Sequence, residues 1–265
     1  MRDELGDRMK KNYENRTRVL LPRRTYTLIR VDGKAFHTYT RGCTRPFDAG
    51  LMADMDETAC YLCKNIQGAK IGFVQSDEIS ILMTDFETHQ TDAWFDGNIQ
   101  KIVSVAASLA ASKFNHLRLI RINSQTIGDM GREIVEMKLA DFDARTFTIP
   151  SKTEVMNYFI WRQQDTVRNS ISSVAQTLYS SKELHGKNMN EQQEMIFQKG
   201  INWNDYDSIL KRGRFVFKEE VDMETEFKGE EFKQTSYKRN RWVARGCPTF
   251  TAEPLFLDLF IPEQD

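Results

Sequence analysis

The sequence predicts an α+β fold built on a split βαβ, or ferredoxin-like, antiparallel sheet with helices on one face. Short runs rich in β-branched and aromatic residues alternate with longer runs whose apolar residues recur at helical spacing. The runs follow one another as strand, helix, strand, strand, helix, strand, which is the order of a split βαβ sheet. With 265 residues, 40% of them hydrophobic, the chain can form one large core, or one core and a smaller lobe.

The first 150 residues contain the elements of this sheet. Residues 3–16 are highly charged and predict an exposed helix before the first strand. Asp48 is placed to cap the first long helix, because a short acidic side chain accepts a hydrogen bond from the free N–H groups at a helix start. The elements predicted after the charged helix are a strand at 25–31, a helix at 48–65, a hairpin of strands at 70–75 and 79–83, a helix at about 98–113, and strands at 133–139 and 146–149.

The pattern changes after residue 150. Ser151, followed three residues later by Glu154, predicts a capping box at the start of a long helix. Further predicted elements are a helix at about 190–199, a strand at 214–221 and an apolar segment at 255–260. The predicted units are therefore a catalytic core over residues 1–150 and a packed, mostly helical lobe over residues 151–265.

Charge and composition exclude several classes of protein. Lys and Arg number 37 against 38 Asp and Glu, so a generally basic surface is excluded but a local basic groove is not. Four cysteines are too few for a disulfide scaffold in a chain of this length, and we expect reduced thiols. No apolar run reaches the length of a membrane span, and the first residues do not resemble a secretory signal. We therefore expect a cytoplasmic protein with no membrane partner.

Acidic residues stand at the two places where a two-strand metal site would need them. Asp32 ends the first predicted strand, and Asp77 and Glu78 occupy the tip of the predicted hairpin. In a split βαβ sheet the first strand lies beside a hairpin strand, so we expect these carboxylates to be close together. Polymerase-type chemistry needs such hard oxygen ligands to hold two magnesium ions. Gly33 adds a backbone carbonyl that no side chain shields.

Each of these residues alone is more typical of an ordinary turn. An Asp-Gly pair after a strand and a Ser-Asp-Glu sequence at a hairpin tip are both common in solvated turns. Composition and spacing by themselves therefore indicate an α/β domain with, at most, the chemistry of a metal-dependent phosphotransferase.

Four segments together resemble the tRNA-histidine guanylyltransferase superfamily. They lie in the family's order within residues 3–170, and their combination is far more specific than the Asp-Gly or Ser-Asp-Glu element alone. The segments are LGDRMK at 5–10, RVDGKAFH at 30–37, QSDEIS at 75–80 and YFIWRQQD at 158–165. The C-terminal third is similar to the family only loosely, through INWND at 201–205 and KRG at 211–213.

The resemblance implies a catalytic domain like the palm of ordinary polymerases and a similar two-metal chemistry. By this resemblance Asp32 and Asp77 would bridge two Mg²⁺ ions, and the carbonyl of Gly33 would complete one metal site. Glu78 would support the site electrostatically or as an outer-shell ligand. The implied catalytic residues are thus Asp32, Asp77 and Glu78, which position phosphates and lower the cost of the charge that develops in phosphoryl transfer.

The same resemblance implies contacts to the triphosphates of ATP and GTP, the expected substrates. Lys101 lies inside the second predicted helix, where an exposed lysine would otherwise be ordinary. Arg45 stands where relatives commonly have lysine, so a planar guanidinium group with several N–H donors replaces an ammonium group. The implied nucleotide-binding residues are Arg30, His37, Arg45, Ser76, Lys101 and Asn169.

One segment departs from the family pattern. Guanylyltransferases devoted to tRNA-histidine carry the sequence HINNLYN after the Trp-Arg-Gln segment, whereas this chain has VRNSISS at 167–173. Relatives that repair truncated tRNA 5′ ends against a template also lack HINNLYN. The chain therefore resembles the repair branch, which activates the tRNA 5′ end and adds nucleotides in the 3′-to-5′ direction; non-templated G addition to tRNA-histidine is the alternative. Because relatives assemble as tetramers, we expect a homo-oligomer.

A non-catalytic RNA-binding module on the same topology is the main competing function. Such modules show interleaved aromatic residues on their central strands. Residues 70–83 offer only Phe73 and place carboxylates at the hairpin tip, which favours the enzyme. A palm-type nucleotide cyclase or an ordinary polymerase would share the metal site, but neither explains the Trp-Arg-Gln segment or the segment around His37.

Two further patterns support only weak predictions. Cys60 and Cys63 have no second pair of ligands at a spacing that would complete a zinc site, so we expect buried thiols. The basic cluster at 233–245, with Tyr237 and Trp242 as candidate stacking rings, fits a tRNA-contacting patch and a solvated strand edge equally well.

Overall fold

One six-stranded antiparallel sheet forms the centre of the protein, which confirms the predicted α+β class. The computed structural model describes residues 3–126, 137–227 and 233–264. The strands are β1 (Tyr26–Gly33), β2 (Ala69–Gln75), β3 (Glu78–Met83), β4 (Phe142–Ile149), β5 (Arg214–Phe227) and β6 (Lys233–Gly246). Their order across the sheet is β4-β1-β3-β2-β5-β6, so β1 lies beside the hairpin strand β3 as a split βαβ sheet requires.

Helices connect these strands and cover them. The helices are α1 (Glu4–Asn12), α2 (Phe36–Tyr39), α3 (Ala49–Asn65), α4 (Ile99–Thr126), α5 (Lys152–Leu178), α6 (Ser181–Leu184), α7 (Met189–Gln198), α8 (Ser208–Lys211) and α9 (Pro254–Asp258). In the part of the chain that the structure describes, none of them is long and apolar enough to cross a membrane.

The two long helices α3 and α5 begin where the sequence predicts. The Asp48 carboxylate accepts a hydrogen bond of 2.8 Å from the N–H of Leu51 at the start of α3. The Ser151 hydroxyl accepts one of 3.3 Å from the N–H of Glu154 at the start of α5, which is one half of the predicted capping box. The Glu154 carboxylate instead accepts a hydrogen bond from the Asn157 side chain. Each cap satisfies an N–H group that has no partner within the helix, and such a cap contributes about 1 kcal/mol to stability.

Helices cover both faces of the sheet: α3 and α4 cover one face, as expected for the first 150 residues, and helices after residue 150 cover the other. On one face, Ile29 and Val31 of β1 pack with α3 and α4. On the other face, Leu28 packs with Phe159 of α5 and with α9. Successive side chains of a strand point to opposite faces, and β1 is apolar on both. The second face therefore needs a cover too, and the C-terminal helices provide it.

The sheet continues across the predicted division at residue 150, because β5 pairs with β2. Strands β5 and β6 are 14 residues each, much longer than the strand predicted at 214–221. Helices α5 and α7 share a separate hydrophobic cluster with Trp203, so the predicted helical content of this region is present. Of the strand predicted at 133–139, residues 137–139 belong to no strand and the others lie outside the described residues.

Candidate active site

The end of β1 and the tip of the β2–β3 hairpin meet at one edge of the sheet. Asp32 lies directly opposite Glu78 in the register of β1 and β3. The N–H of Gly33 donates a 3.1 Å hydrogen bond to the carbonyl oxygen of Asp77, which fixes the hairpin tip against the strand end. The predicted proximity of these acidic residues is therefore confirmed. Asp32 and Glu78 lie on paired strands, and Asp77 lies in the turn that joins β2 to β3.

Gly33 is required by the packing around this strand end. A Cβ atom on residue 33 would lie 2.2 Å from Cδ2 of Phe36, far closer than two carbon atoms can approach. Phe36 cannot move aside easily, because it is buried and its ring packs against Phe114 and Phe142 with ring centroids 5.6 and 5.3 Å away. Glycine at position 33 therefore leaves room for the Phe36 ring beside the strand end.

Asp77 is an acidic group in an unfavourable environment. Burial raises the pKa of its carboxyl, and the negative charges of Asp32 and Glu78 raise that pKa further, against hydrogen bonds from Ser76 and from its own backbone. Among the residues that the structure describes, no Lys, Arg or His forms an ion pair with Asp32 or Asp77. Because the protein itself does not neutralise these two carboxylates, the edge of the sheet favours binding of a cation.

Glu78, in contrast, is neutralised by the protein. Its two carboxylate oxygens accept hydrogen bonds of 3.0 and 2.8 Å from one terminal nitrogen of Arg162. The Nε of Arg30 lies 3.8 Å from the same carboxylate, and the Ser80 hydroxyl donates a longer bond of 3.4 Å to it. The buried Glu78 therefore holds the guanidinium groups of Arg162 and Arg30 beside the site. This arrangement agrees with a supporting role better than with direct metal binding.

Arg162 joins the hairpin to α5 and was not identified as a site residue from the sequence. Its guanidinium stacks on the Trp161 ring at 3.6 Å from the ring centroid, and it forms an ion pair of 3.4 Å with Asp165. One helical turn further, the Thr166 hydroxyl donates to the side-chain carbonyl of Gln75 at the end of β2. The signal that could have located these contacts is the spacing of Tyr158, Arg162 and Thr166. These residues are four positions apart, so they share the face of α5 that is turned toward the hairpin.

Strand β4 brings two more charged residues to the site that the sequence did not indicate. Asp143 lies directly opposite Asp32, and Arg145 lies opposite Arg30. Arg145 donates a 3.0 Å hydrogen bond to Asp143; that bond raises the pKa of Arg145, and the charges of Asp32 and Glu78 contribute to the same shift. Both residues precede the strand predicted at 146–149, so their register with β1 was not predictable.

A cleft of about 130 Å³ opens beside the hairpin tip. Ser76 and Asn169 line it from opposite sides, together with Pro46 and apolar side chains of α3 and α8. Arg45 is exposed next to Pro46. His37 is exposed on α2, five residues after Asp32 in the chain. The structure thus brings most of the predicted nucleotide-binding residues to the edge of the sheet that carries Asp32 and Asp77.

Lys101 does not lie at this edge of the sheet. It lies in the first turn of α4, next to the bridge that links Gly97 to Leu21. Phe114, which packs against Phe36 near Asp32, lies about 20 Å further along the same helix at 1.5 Å per residue. Lys101 therefore lies far from Asp32 within the chain, and its contact with a triphosphate stays a prediction.

Of the two cysteines of α3, Cys63 is buried in the core as expected, whereas Cys60 is half-buried against it. Burial raises the pKa of Cys63 well above its usual value and the pKa of Cys60 to about 12, so both thiols stay protonated at neutral pH. Cys63 packs in the hydrophobic cluster on the α3 and α4 face of the sheet. No group of three or more His, Cys, Asp or Glu side chains arranged to hold a metal is found in the described part of the chain.

Comparisons with known proteins identify relatives of this site and fold. The family model Thg1, described as tRNAHis guanylyltransferase, matches residues 6–150. A bacterial tRNA(His) guanylyltransferase (Thg1)-like protein, solved in complex with ATP, has a similar structure with a TM-score of 0.80 and 39% sequence identity, over 97% of this chain and 99% of that one.

Two further relatives agree. A bacterial Thg1-like protein solved in complex with GTP has a TM-score of 0.75 and 38% identity, over 98% of this chain and 99% of that chain. The tRNA(His) guanylyltransferase of Debaryomyces hansenii is 27% identical over 217 residues, which are 77% of this chain and 77% of the relative. The similarity therefore includes the C-terminal third, which the sequence segments alone matched only loosely.

Proposed function

The chain belongs to the Thg1 family of tRNAHis guanylyltransferases, and on this premise we propose that it adds nucleotides to the 5′ end of tRNA in the 3′-to-5′ direction. As a member of this family it is a tRNA nucleotidyltransferase, so the alternative of a non-catalytic RNA-binding module is set aside. The observation that carries the proposal is the pair of unneutralised carboxylates, Asp32 and Asp77, held together by the hydrogen bond between Gly33 and Asp77.

The donor set at this edge fits magnesium. Magnesium is usually bound in proteins through one or two carboxylates, and it keeps waters or phosphate oxygens as its other ligands. Asp32 and Asp77 supply those carboxylates. Burial, and then the charges of Asp32 and Glu78, raise the pKa of Asp77, and a divalent cation would offset the cost of the charged form. Asp32, Asp77 and the carbonyl of Gly33 would hold two Mg²⁺ ions, which when bound neutralise charge on the reacting phosphates.

Cationic and polar side chains around the carboxylates would orient the nucleotides. Arg30 faces the Glu78 carboxylate and lies across from Arg145, so two guanidinium groups stand beside the acidic edge. Ser76 and Asn169 line the cleft, where a nucleotide could bind between polar and apolar walls. Two bacterial Thg1-like proteins of the same fold were solved with ATP and with GTP, which supports both nucleotides as ligands of this chain.

The proposed reaction has two phosphoryl-transfer steps. In the first, an oxygen of the tRNA 5′-monophosphate attacks the α-phosphorus of ATP, pyrophosphate leaves, and the 5′ end becomes an adenylate. In the second, the 3′-hydroxyl oxygen of an incoming nucleoside triphosphate attacks the 5′ phosphorus of the tRNA. AMP leaves, the hydroxyl proton passes to solvent, and the new 5′ end carries the triphosphate of the added nucleotide. A tRNA that already bears a 5′-triphosphate needs only the second step, with pyrophosphate as the leaving group.

We propose template-dependent repair as the form of this reaction, because the chain lacks the HINNLYN sequence. The segment at 167–173, where guanylyltransferases devoted to tRNA-histidine carry HINNLYN, contributes Asn169, Ser170 and Ser173 to the wall of the cleft. Val167 stands where that sequence has histidine, and Ser170 and Ser173 stand where it has asparagine. Pairing with the unpaired nucleotide opposite the 5′ end can then choose the incoming base without a protein group that reads guanine. We propose further that the chain works in the cytoplasm as a tetramer, as the sequence resemblance implies.

The proposal is tested with a tRNA that lacks its first nucleotide. We expect the wild-type protein, with Mg²⁺ and labelled nucleotides, to lengthen the 5′ end of this RNA by one residue, as mapped by nuclease digestion. A 5′-monophosphate substrate should require ATP, whereas a 5′-triphosphate substrate should not. Addition at the 3′ end, or no addition to either substrate, would contradict the proposed function.

A further inference from the structure

A groove of about 560 Å³ lies between α3, α4 and the ribbon formed by β5 and β6. Its charged and aromatic lining is concentrated on one side of the protein, well away from the cleft at the hairpin tip. We call this surface the basic groove, and it is lined by Glu57, Cys60, Tyr61, Lys64, Lys113, Lys218, Arg239, Asn240, Arg241 and Trp242. The side chain of Tyr237, a predicted stacking residue, lies outside the described side chains.

Among the described side chains, no carboxylate forms an ion pair with a cation of the basic groove. Five Lys and Arg side chains line it against a single carboxylate, Glu57, and among the described side chains none of the five takes part in an ion pair. Two other cations of the same ribbon are paired: Lys238 with Glu220 at 3.3 Å and Arg245 with Glu219 at 2.8 Å. In a chain of net charge −1, the groove is therefore a local positive region, and a concave surface strengthens such a field.

Two aromatic rings hold lysines in the groove without neutralising them. The Nζ of Lys113 lies 5.7 Å from the centre of the Tyr61 ring, and the Nζ of Lys218 lies 5.3 Å from the centre of the Trp242 ring. Trp242 is half-buried and packs against the hydrophobic core of the sheet. The cation–π contacts reduce the freedom of both ammonium groups, so less entropy is lost when an anionic ligand binds them.

The basic groove and the active-site cleft are linked by one rigid helix. Asp48, at the N-terminal cap of α3, lines the cleft beside Ser76. Tyr61 lies about 20 Å further along the same helix at 1.5 Å per residue and lines the groove. A nucleic-acid duplex carries phosphate charges at close, regular spacing along its length. A duplex that ends at Asp32 and Asp77 can therefore place the phosphates of its next base pairs in the groove.

We propose that the basic groove binds the sugar-phosphate backbone of the tRNA stem whose 5′ end lies at Asp32 and Asp77. This inference rests on the proposed function, and it assigns a docking surface to the RNA substrate. Five unpaired cations on a concave surface suit a dense row of phosphates. A second copy of this chain is disfavoured as the occupant, because bringing the same groove against itself would oppose like charges.

The test replaces two exposed groove cations, Arg239 and Arg241, in the full chain. Both lie on the edge strand β6 and are solvent-exposed, so Arg239→Ala/Arg241→Ala should leave folding intact. We expect the Kd for full-length tRNA to rise about tenfold, and the slope of log K against log salt concentration to flatten by about 2, one for each phosphate contact. The affinity for ATP, measured without RNA, should stay unchanged.

A charge-matched control separates the groove from a general loss of positive charge. Lys182→Ala/Lys187→Ala removes two exposed cations on the α6–α7 segment and should change neither the Kd nor the salt slope. Equal weakening by both double variants, or no weakening by the groove variant, would overturn the inference and assign the groove to another partner. If the wild-type protein binds tRNA through the groove yet adds no nucleotide, the proposed function fails while the docking surface stands.

Discussion

Replacing Asp32 or Asp77 with asparagine is expected to lower the rate of nucleotide addition roughly a thousandfold, a loss of about 4 kcal/mol in transition-state stabilisation. Asparagine preserves the shape of the side chain but removes the negative charge. Neither carboxylate has a substitute, because Glu78 is already paired with Arg162. The measurement is single-turnover addition to a 5′-truncated tRNA at saturating RNA and nucleotide. The affinity for tRNA, measured separately, should stay within about twofold, since these residues contact the reacting end only.

Asp143→Asn is the matched control for both variants. Asp143 lies directly opposite Asp32, but it is exposed and paired with Arg145, so its loss should reduce the rate less than tenfold. The Asp32→Asn/Asp77→Asn double variant should be little worse than either single variant, because parts of one site act as a unit. If either single variant turned over at the wild-type rate, the assignment of the metal site would be wrong.

The stability of Asp77→Asn in the presence of chelator provides a second readout. Burial raises the pKa of the Asp77 carboxyl in the folded protein, so the charged form destabilises the fold above the pKa of the unfolded chain, and this penalty is absent at lower pH. Removing the charge should therefore leave the variant at least as stable as the wild-type protein in chelator at neutral pH. A large loss of stability there would indicate a structural role for Asp77 instead.

Arg162→Met should be the most destabilising single substitution around the site. It would leave the carboxylate of Glu78 buried, with only Arg30 nearby at 3.8 Å. Removing one partner of a buried ion pair typically costs about 3–5 kcal/mol, because the other charge is left without compensation. For a chain of this size we expect the melting temperature to fall by about 10 °C, as measured by thermal denaturation. The rate of nucleotide addition should fall as well, since Glu78 lies directly opposite Asp32.

Arg168→Met provides the comparison for Arg162. Arg168 forms an ion pair of 2.7 Å with Asp165, the same residue that Arg162 contacts, but more than half of its side chain is exposed. Such surface pairs contribute about 0–1 kcal/mol, so its loss should barely change the melting temperature. Adding Glu78→Gln to Arg162→Met should restore part of the stability, because the buried charge is then gone. Equal melting temperatures for Arg162→Met and the wild-type protein would refute this account of Glu78.

The part of the site that depends on local sequence was predictable. Asp32 follows a run of strand-forming residues, and Asp77 and Glu78 separate two such runs by a short turn. Since a hairpin and its neighbouring strand in a split βαβ sheet have few possible arrangements, the topology alone places these residues together. The family segments then distinguish a metal site from an ordinary turn, which residue types and spacing by themselves do not.

The parts that depend on long-range pairing were not predictable. Arg145 and Asp143 reach the site through the register of β4 with β1, which no local pattern fixes. The pairing of β5 with β2 similarly depends on residues far apart in sequence, so the extension of the sheet beyond residue 150 was missed. The position of Lys101 at the far end of α4 follows from how that helix packs, and a sequence match to relatives does not contain that information.

The most direct test of the central proposal changes the templating nucleotide in a tRNA that lacks its 5′ residue. Four versions of the RNA differ only in the nucleotide opposite the missing position, and each is incubated with Mg²⁺ and all four nucleoside triphosphates. We predict that sequencing of the products will show the complementary nucleotide at the new 5′ end in all four cases, for tRNAs of several amino-acid identities. Addition of G whatever the opposite nucleotide, and only to tRNA-histidine, would contradict template-dependent repair.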